Sequence, residues 1–130
     1  MLNQKIVQQL VYSALDIAGH NNQAIAVSVC DTHGELLAFS QMDNVSVQAG
    51  LLAQNKAYTS ARDRQPSGNL GAWARETGKD LSYWTDSKTT GFKGGVPIEH
   101  QGLVIGAIGI SGLSEDEDEA LAEKVIRLVL

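Results

Sequence analysis

Apolar residues recur at three- and four-residue spacing between Asn3 and His20, where Ile6, Val7, Leu10, Val11, Ala14, Leu15 and Ala18 interleave with Gln4, Gln8, Gln9, Ser13 and Asp16. This spacing predicts an amphipathic helix. Gly19-His20-Asn21-Asn22 stops it and leaves His20 where a cation complements a helix C-terminus. The period then changes, because residues 24–30 are apolar on both faces of a strand, Asp31-Thr-His-Gly34 is a turn, and Glu35 to Gln41 returns as its partner. Ser46 is the N-cap of a second helix that carries Val47, Leu51, Leu52, Asn55, Lys56, Tyr58 and Thr59 and runs to Arg62. From Asp63 to Lys88 the periodicity weakens. Pro66-Ser67 opens a short helix through Leu70, Trp73 and Ala74, ended by Gly78.

The chain is organised around Phe92 to Gly112, its most apolar and most glycine-punctuated run. Val96 to His100 reads as one arm of a hairpin, Gln101-Gly102 as the turn, and Leu103 to Ser111 as the other arm. Leu103, Ile105 and Ala107 point one way and Val104, Ile108 and Ile110 the other, so this arm is predicted to be a central strand with a layer on each side. Gly106 and Gly109 fall on opposite faces, where something approaches closely. Ser114-Glu-Asp-Glu117 is a capping box for a last helix whose buried stripe is Ala120, Leu121, Val125, Ile126 and Val129. Hairpins joined by helices predict an α+β domain built on an antiparallel sheet.

Length and charge narrow the function classes. The 130 residues suit one domain spanning 1–130, with a hydrophobic fraction of 43% that suits a folded aliphatic interior. A formal charge of −5 opposes a phosphate backbone, so no nucleic acid is expected as a partner. A single cysteine, no signal-peptide pattern and no run near the roughly 20 apolar residues that span a bilayer predict a cytoplasmic protein with no membrane partner.

Candidate chemistry is sparse. In Gly106-x-x-Gly109-x-x-Gly112 the first two glycines lie inside a strand, unlike those of the dinucleotide-binding loop it imitates, and Lys93-Gly94-Gly95 has its lysine before its glycines, the reverse of a P-loop. Lys56 shares a helix face with Leu52 and Thr59 that looks toward the sheet, which gives it two readings: an anion-binding group in a cleft, or a lysine that buries its stem and reaches water. The amides of Lys93, Gly94 and Gly95 form either an anion nest or a structural turn before Pro97. Four acidic residues, 115 to 118, already complement the last helix's N-terminus and disfavour an anion there. His20, His33, His100, Cys30 and Met42 form no ligand-spaced pair, so no metal site is expected.

Several motifs nevertheless occur together and in order: Val29-Cys-Asp31-Thr-His-Gly34, Met42-Asp43, Lys56-Ala-Tyr-Thr59-Ser-Ala61, Gly94-Gly-Val-Pro97-Ile, Val104-Ile-Gly106-Ala-Ile-Gly109-Ile-Ser-Gly112 and Asp118-Glu-Ala-Leu-Ala122. On these the chain resembles the GlcG/HbpS-like family, also called the haem-degrading domain family, which includes the C-terminal domain of PduO proteins. It departs from the family at Gln41, at Ser60 and across Ser67 to Ser87. The resemblance implies a profilin-like three-layer α/β/α sandwich, self-assembly into homodimers or larger oligomers, and haem as the cofactor if there is one.

Three functions stay open. The first is a small oligomeric binding protein for haem or a similar anionic small molecule, accessory to catabolism or haem handling. Its ligand would lie between the second helix and the second hairpin, with Lys56 and Thr59 at its polar edge and Lys93, Gly94 and Gly95 presenting amides. The second is an enzyme acting on a small carbonyl or carboxylate compound, with Asp31 as base and Lys56 as electrophile, which requires both in one pocket. The third is a structural or regulatory accessory with no ligand.

Overall fold

Two hairpins supply the four strands among the residues that the computed structural model describes, 2–130. The order is α1 (Gln4–His20), β1 (Ala26–Cys30), β2 (Leu36–Gln41), α2 (Val47–Asp63), α3 (Gly68–Thr77), a 3-10 turn (Leu81–Trp84), β3 (Gly95–His100), β4 (Leu103–Ser111) and α4 (Glu115–Val129). The strands form one antiparallel sheet ordered β2-β1-β4-β3, with the hairpins joined through β1 and β4. α1, α2 and α4 begin where short polar side chains satisfy their free amides. Asn3 accepts from Ile6 N at 2.9 Å, Ser46 from Ala49 N at 3.1 Å, and Ser114 and Glu117 form a reciprocal capping box. Only the 3-10 turn has no counterpart in the hydrophobic pattern.

The sheet's faces are packed differently. On one face α1 and α4 cover a core of large aliphatic side chains, including Leu10, Val27, Val29, Ile98, Ile108, Ile110 and Val125. On the other face α2 packs through small residues, its own Ala57 and Ala61 meeting Cys30 and Ala107 of the sheet. The fold is an α+β, profilin-like three-layer α/β/α sandwich. One detail departs from the strand alternation: a bulge opposite Ile98 and Glu99 makes Ile105 an extra residue, and its side chain packs on the α1/α4 core.

The α2 face needs its glycines for close approach. Gly95 and Gly109 are paired across β3 and β4, directly beneath α2. A Cβ on Gly109 would stand 2.6 Å from Ala57 N and against the Ala53 carbonyl, and one on Gly95 would stand 2.6 Å from the Lys56 carbonyl carbon. Helix backbone therefore rests nearly on strand backbone, and α2 has no room to rise without giving up that contact.

Replacing Gly109 by Ala is expected to destabilise the protein by about 3 kcal/mol through overpacking, whereas Gly78→Ala, which meets open space at φ 72°, costs about 1 kcal/mol of backbone strain. Urea midpoints of the two variants compare them directly.

Candidate functional site

Lys56 lies in the third turn of α2, on its sheet-facing side, and is 2% exposed. Its Nζ donates to Asp118 Oδ2 at 3.0 Å and to the Ile110 carbonyl at 2.9 Å. Asp118 is also buried, and its other oxygen accepts from Leu113 N at 3.0 Å. Since α2 and α4 lie on opposite faces of the sheet, this pair joins the two helical layers. The passage runs past the start of β3, where a Cβ on Gly94 (φ 132°) would lie 2.8 Å from Nζ and 2.9 Å from Cδ of Lys56. Desolvation raises the Asp118 carboxyl above its ordinary value, and the Lys56 ammonium and the Leu113 amide oppose that rise.

The group expected to line one cleft is therefore divided. Lys56, Gly94 and Gly95 form a buried tie between layers, and the Gly95 amide donates to Ser67 Oγ at 2.9 Å. Lys93 lies outside that tie. Its amide is taken by Glu115 at 3.0 Å and its ammonium by Asp116 at 2.7 Å, so the first turn of α4 already occupies the would-be anion nest. Asp31 caps the β1–β2 turn by accepting from His33 N and Glu35 N. It lies four residues along β1 from Val27, the partner of Ile110, or about 13 Å at strand rise. Asp31 and Lys56 thus share no pocket, which removes the paired base and electrophile.

Thr59 alone of the expected residues reaches a cleft, between α2, α3 and the segment that follows the 3-10 turn. The cleft has a volume of about 250 Å³ and is lined by Tyr58, Thr59, Arg62, Leu70, Trp84 and Asp86, among others. Thr59 Oγ accepts from Thr90 N at 3.1 Å, which pins this segment to α2. The Tyr58 hydroxyl donates to Asp86 at 2.5 Å, and Arg62 Nε lies 3.7 Å from the same carboxylate. The Arg62 guanidinium also sits 5.0 Å from the centre of the Tyr58 ring. The hydrogen bond from Tyr58 holds Asp86 below the usual carboxylate range, helped by the Lys88 amide, and the same bond pushes the Tyr58 phenol up. Trp84 packs edge-on against Trp73 with centroids 5.7 Å apart, so the cleft has an aromatic edge beside a cation.

Tyr58, Arg62 and Asp86 were not singled out by the sequence pattern. Tyr58 and Arg62 are four apart on α2 and share a side, a signal that was available. Asp86 lies in the segment without periodicity, and nothing in the sequence ties it to Tyr58. Among the described residues no group of three or more His, Cys, Asp or Glu side chains could hold a metal ion. His20 is at the end of α1, His33 in the β1–β2 turn and His100 at the end of β3, and no helix is long and apolar enough to cross a membrane.

Comparison with known proteins agrees with this architecture. The family model described as haem degrading protein HbpS-like matches residues 2–127. Protein GlcG of Escherichia coli K12 is 31% identical over 111 residues, covering 85% of this chain and 81% of GlcG. The crystal structure of a PduOC:haem complex superposes with a TM-score of 0.89 at 26% identity, covering 99% of this chain and 94% of that one. The Klebsiella pneumoniae protein ORFY has the same fold, with a TM-score of 0.90 at 24% identity over 98% of this chain and 90% of its own.

Removing either partner of the buried pair, as in Lys56→Met or Asp118→Ala, is expected to cost about 3–5 kcal/mol by stranding the other charge. The double variant Lys56→Met/Asp118→Leu is expected to recover most of that loss, and chemical denaturation of the three variants measures the coupling.

Proposed function

Because the chain belongs to the GlcG/HbpS-like family, we propose that it is a small-molecule binding protein whose ligand is haem or a similar planar anionic compound, held in the cleft between α2 and α3. The observation that carries this reading is that one cleft is lined by the aromatic Trp84, the Arg62 side chain, Thr59 and Leu70. A planar ring offers its face to the first and its carboxylates to the second. The likeness to a protein solved with haem points the same way.

The residues present fit the anionic edge of haem. Arg62 would hold a carboxylate by exchanging its present contacts with Asp86 and the His33 carbonyl, Thr59 and the Trp84 edge would orient the ring, and Leu70 would keep water from its face. Bound haem would supply an iron centre open to redox chemistry. Tyr58 does not fit as an iron ligand, because donating to Asp86 keeps its phenol protonated. A cleft of about 250 Å³ is below the roughly 300–1,000 Å³ of pockets that enclose a drug-sized ligand, so most of a macrocycle would project beyond one copy of the chain. This supports self-association, as do the exposed Leu36, Leu37, Val47 and Leu51 around β2 and α2. A protein handling such a ligand in the cytoplasm, as an accessory to other enzymes, is the fuller form of the proposal.

Haem titration followed by Soret absorbance is expected to give a saturable shift at micromolar protein, weakened about tenfold or more by Arg62→Ala through loss of a charged hydrogen bond. No saturable shift, or superimposable curves for the two proteins, would refute the reading. Affinity is also expected to be flat around neutral pH, because Asp86 stays ionised and Tyr58 protonated there, and to change on the acid side as Asp63 of the same cleft, whose carboxyl burial raises, takes up a proton. The depressed carboxylate of Asp86 contributes stability above its unfolded value and loses it as pH falls through the lower folded value. Any change traced to Asp86 therefore belongs below about pH 4.

A further inference from the structure

A second pocket lies on the other side of Tyr58, between the β1–β2 hairpin and α2. It has a volume of about 250 Å³. Its inner end holds Ser28, which is 1% exposed and whose Oγ has no hydrogen-bond partner. A buried hydroxyl left without a partner costs about 1–3 kcal/mol, so such a group is normally satisfied by something. Ser60 is the other orphan among the described residues. There the cause is packing, because Ser60 Oγ is wedged against the Gly95 backbone and would stand 2.8 Å from a Cβ on that residue. Ser28, by contrast, belongs to the lining of the pocket.

The lining says what that space accepts. Cys30 lies beside Ser28, and burial, together with the nearby Asp31 charge, pushes its thiol up to about 12, so the inner wall is uncharged. Gln54 and Asn55 place carboxamides on the α2 side, and Leu51 forms an apolar wall. At the mouth Lys88 is exposed and takes part in none of the ion pairs among the described residues. Its ammonium stands 5.3 Å from the centre of the Tyr58 ring. The interior thus offers paired donors and acceptors without charge, and the rim offers a cation, Lys88, on one side and the exposed Glu35 carboxylate on the hairpin side.

We propose that this pocket is a second small-molecule site, for a short carboxylate with an uncharged carboxamide head. The head enters to meet Ser28 Oγ and the Asn55 amide, which match both its donor and its acceptor, and the carboxylate stays at the rim with Lys88. The space equals about eight waters at roughly 30 Å³ each, which admits a molecule of this size. The site is distinct from the Arg62 cleft, with the Tyr58 ring as the wall between them.

Calorimetric titration of the full chain with succinamate tests this, with butyrate as the probe that keeps the carboxylate and lacks the carboxamide. Saturable binding of succinamate is expected, with butyrate about fivefold weaker for the loss of neutral hydrogen bonds. Ser28→Ala is expected to weaken succinamate about fivefold and Lys88→Gln about tenfold. Lys88 is exposed, so its variant keeps the test readable if Ser28→Ala does not fold, and haem titration of Lys88→Gln is expected to match the parent. Three results would overturn the proposal: no saturable heat up to about 1 mM succinamate, which would mean that water alone serves Ser28; equal affinity for butyrate; or parent-like binding by Lys88→Gln.

Discussion

The structure depends on one buried ion pair. Lys56 and Asp118 come from helices on opposite faces of the sheet, and each is as inaccessible as the core leucines. Two charges taken out of water are stable only if each finds the other and the remaining polar positions are filled, here by the Ile110 carbonyl and the Leu113 amide. The pair therefore fixes more than two side chains. It sets where α2 lies along β4, where α4 begins, and that the position before β3 has no side chain. A hydrophobic contact tolerates sliding, but a desolvated ion pair does not.

The small-residue seam under α2 works with this tie. Gly95 and Gly109 let the helix backbone rest on the strands, and the pair stops it from rotating out of that seat. The residues at α2's margins are presented as a consequence. Thr59 and Tyr58 turn toward α3 and the segment around Asp86, while Leu51, Gln54 and Asn55 turn toward the first hairpin. Both clefts are edges of one rigidly seated helix, and the ring of Tyr58, held by Asp86, separates them.

What could be read from the sequence was local, and what could not was paired across distance. Helices, hairpins and the Ser114 capping box follow from periods and caps that act within a few residues, and they appear where the pattern put them. The glycine spacing in β4 indicated close approach correctly, although not that α2 would be the neighbour for Gly109. Lys56 was rightly placed on the sheet-facing side of its helix. Its partner lies 62 residues away, inside an acidic run where any of four carboxylates was equally eligible. Only packing selects Asp118, the one that points inward. The Arg62 cleft was least readable because half of its lining comes from a segment held by single hydrogen bonds such as Thr90 N to Thr59, which leave no periodic trace. Ile105 was misplaced for a related reason, since a bulge breaks the alternation that assigns faces.

The strand order β2-β1-β4-β3 also governs the order of events in folding. Each hairpin closes between neighbours in sequence, but the central pairing of β1 with β4 joins residues 77 positions apart, as between Cys30 and Ala107. Closing a loop of that length costs about 4 kcal/mol of chain entropy before any contact across it is gained. The sheet's middle is thus its least local part and the last that random search would find. A molecule in which both hairpins had closed before β1 met β4 would carry two unpaired apolar edges. The rate of that meeting, more than the strength of any strand, sets how long the chain is exposed to association with other unfinished copies.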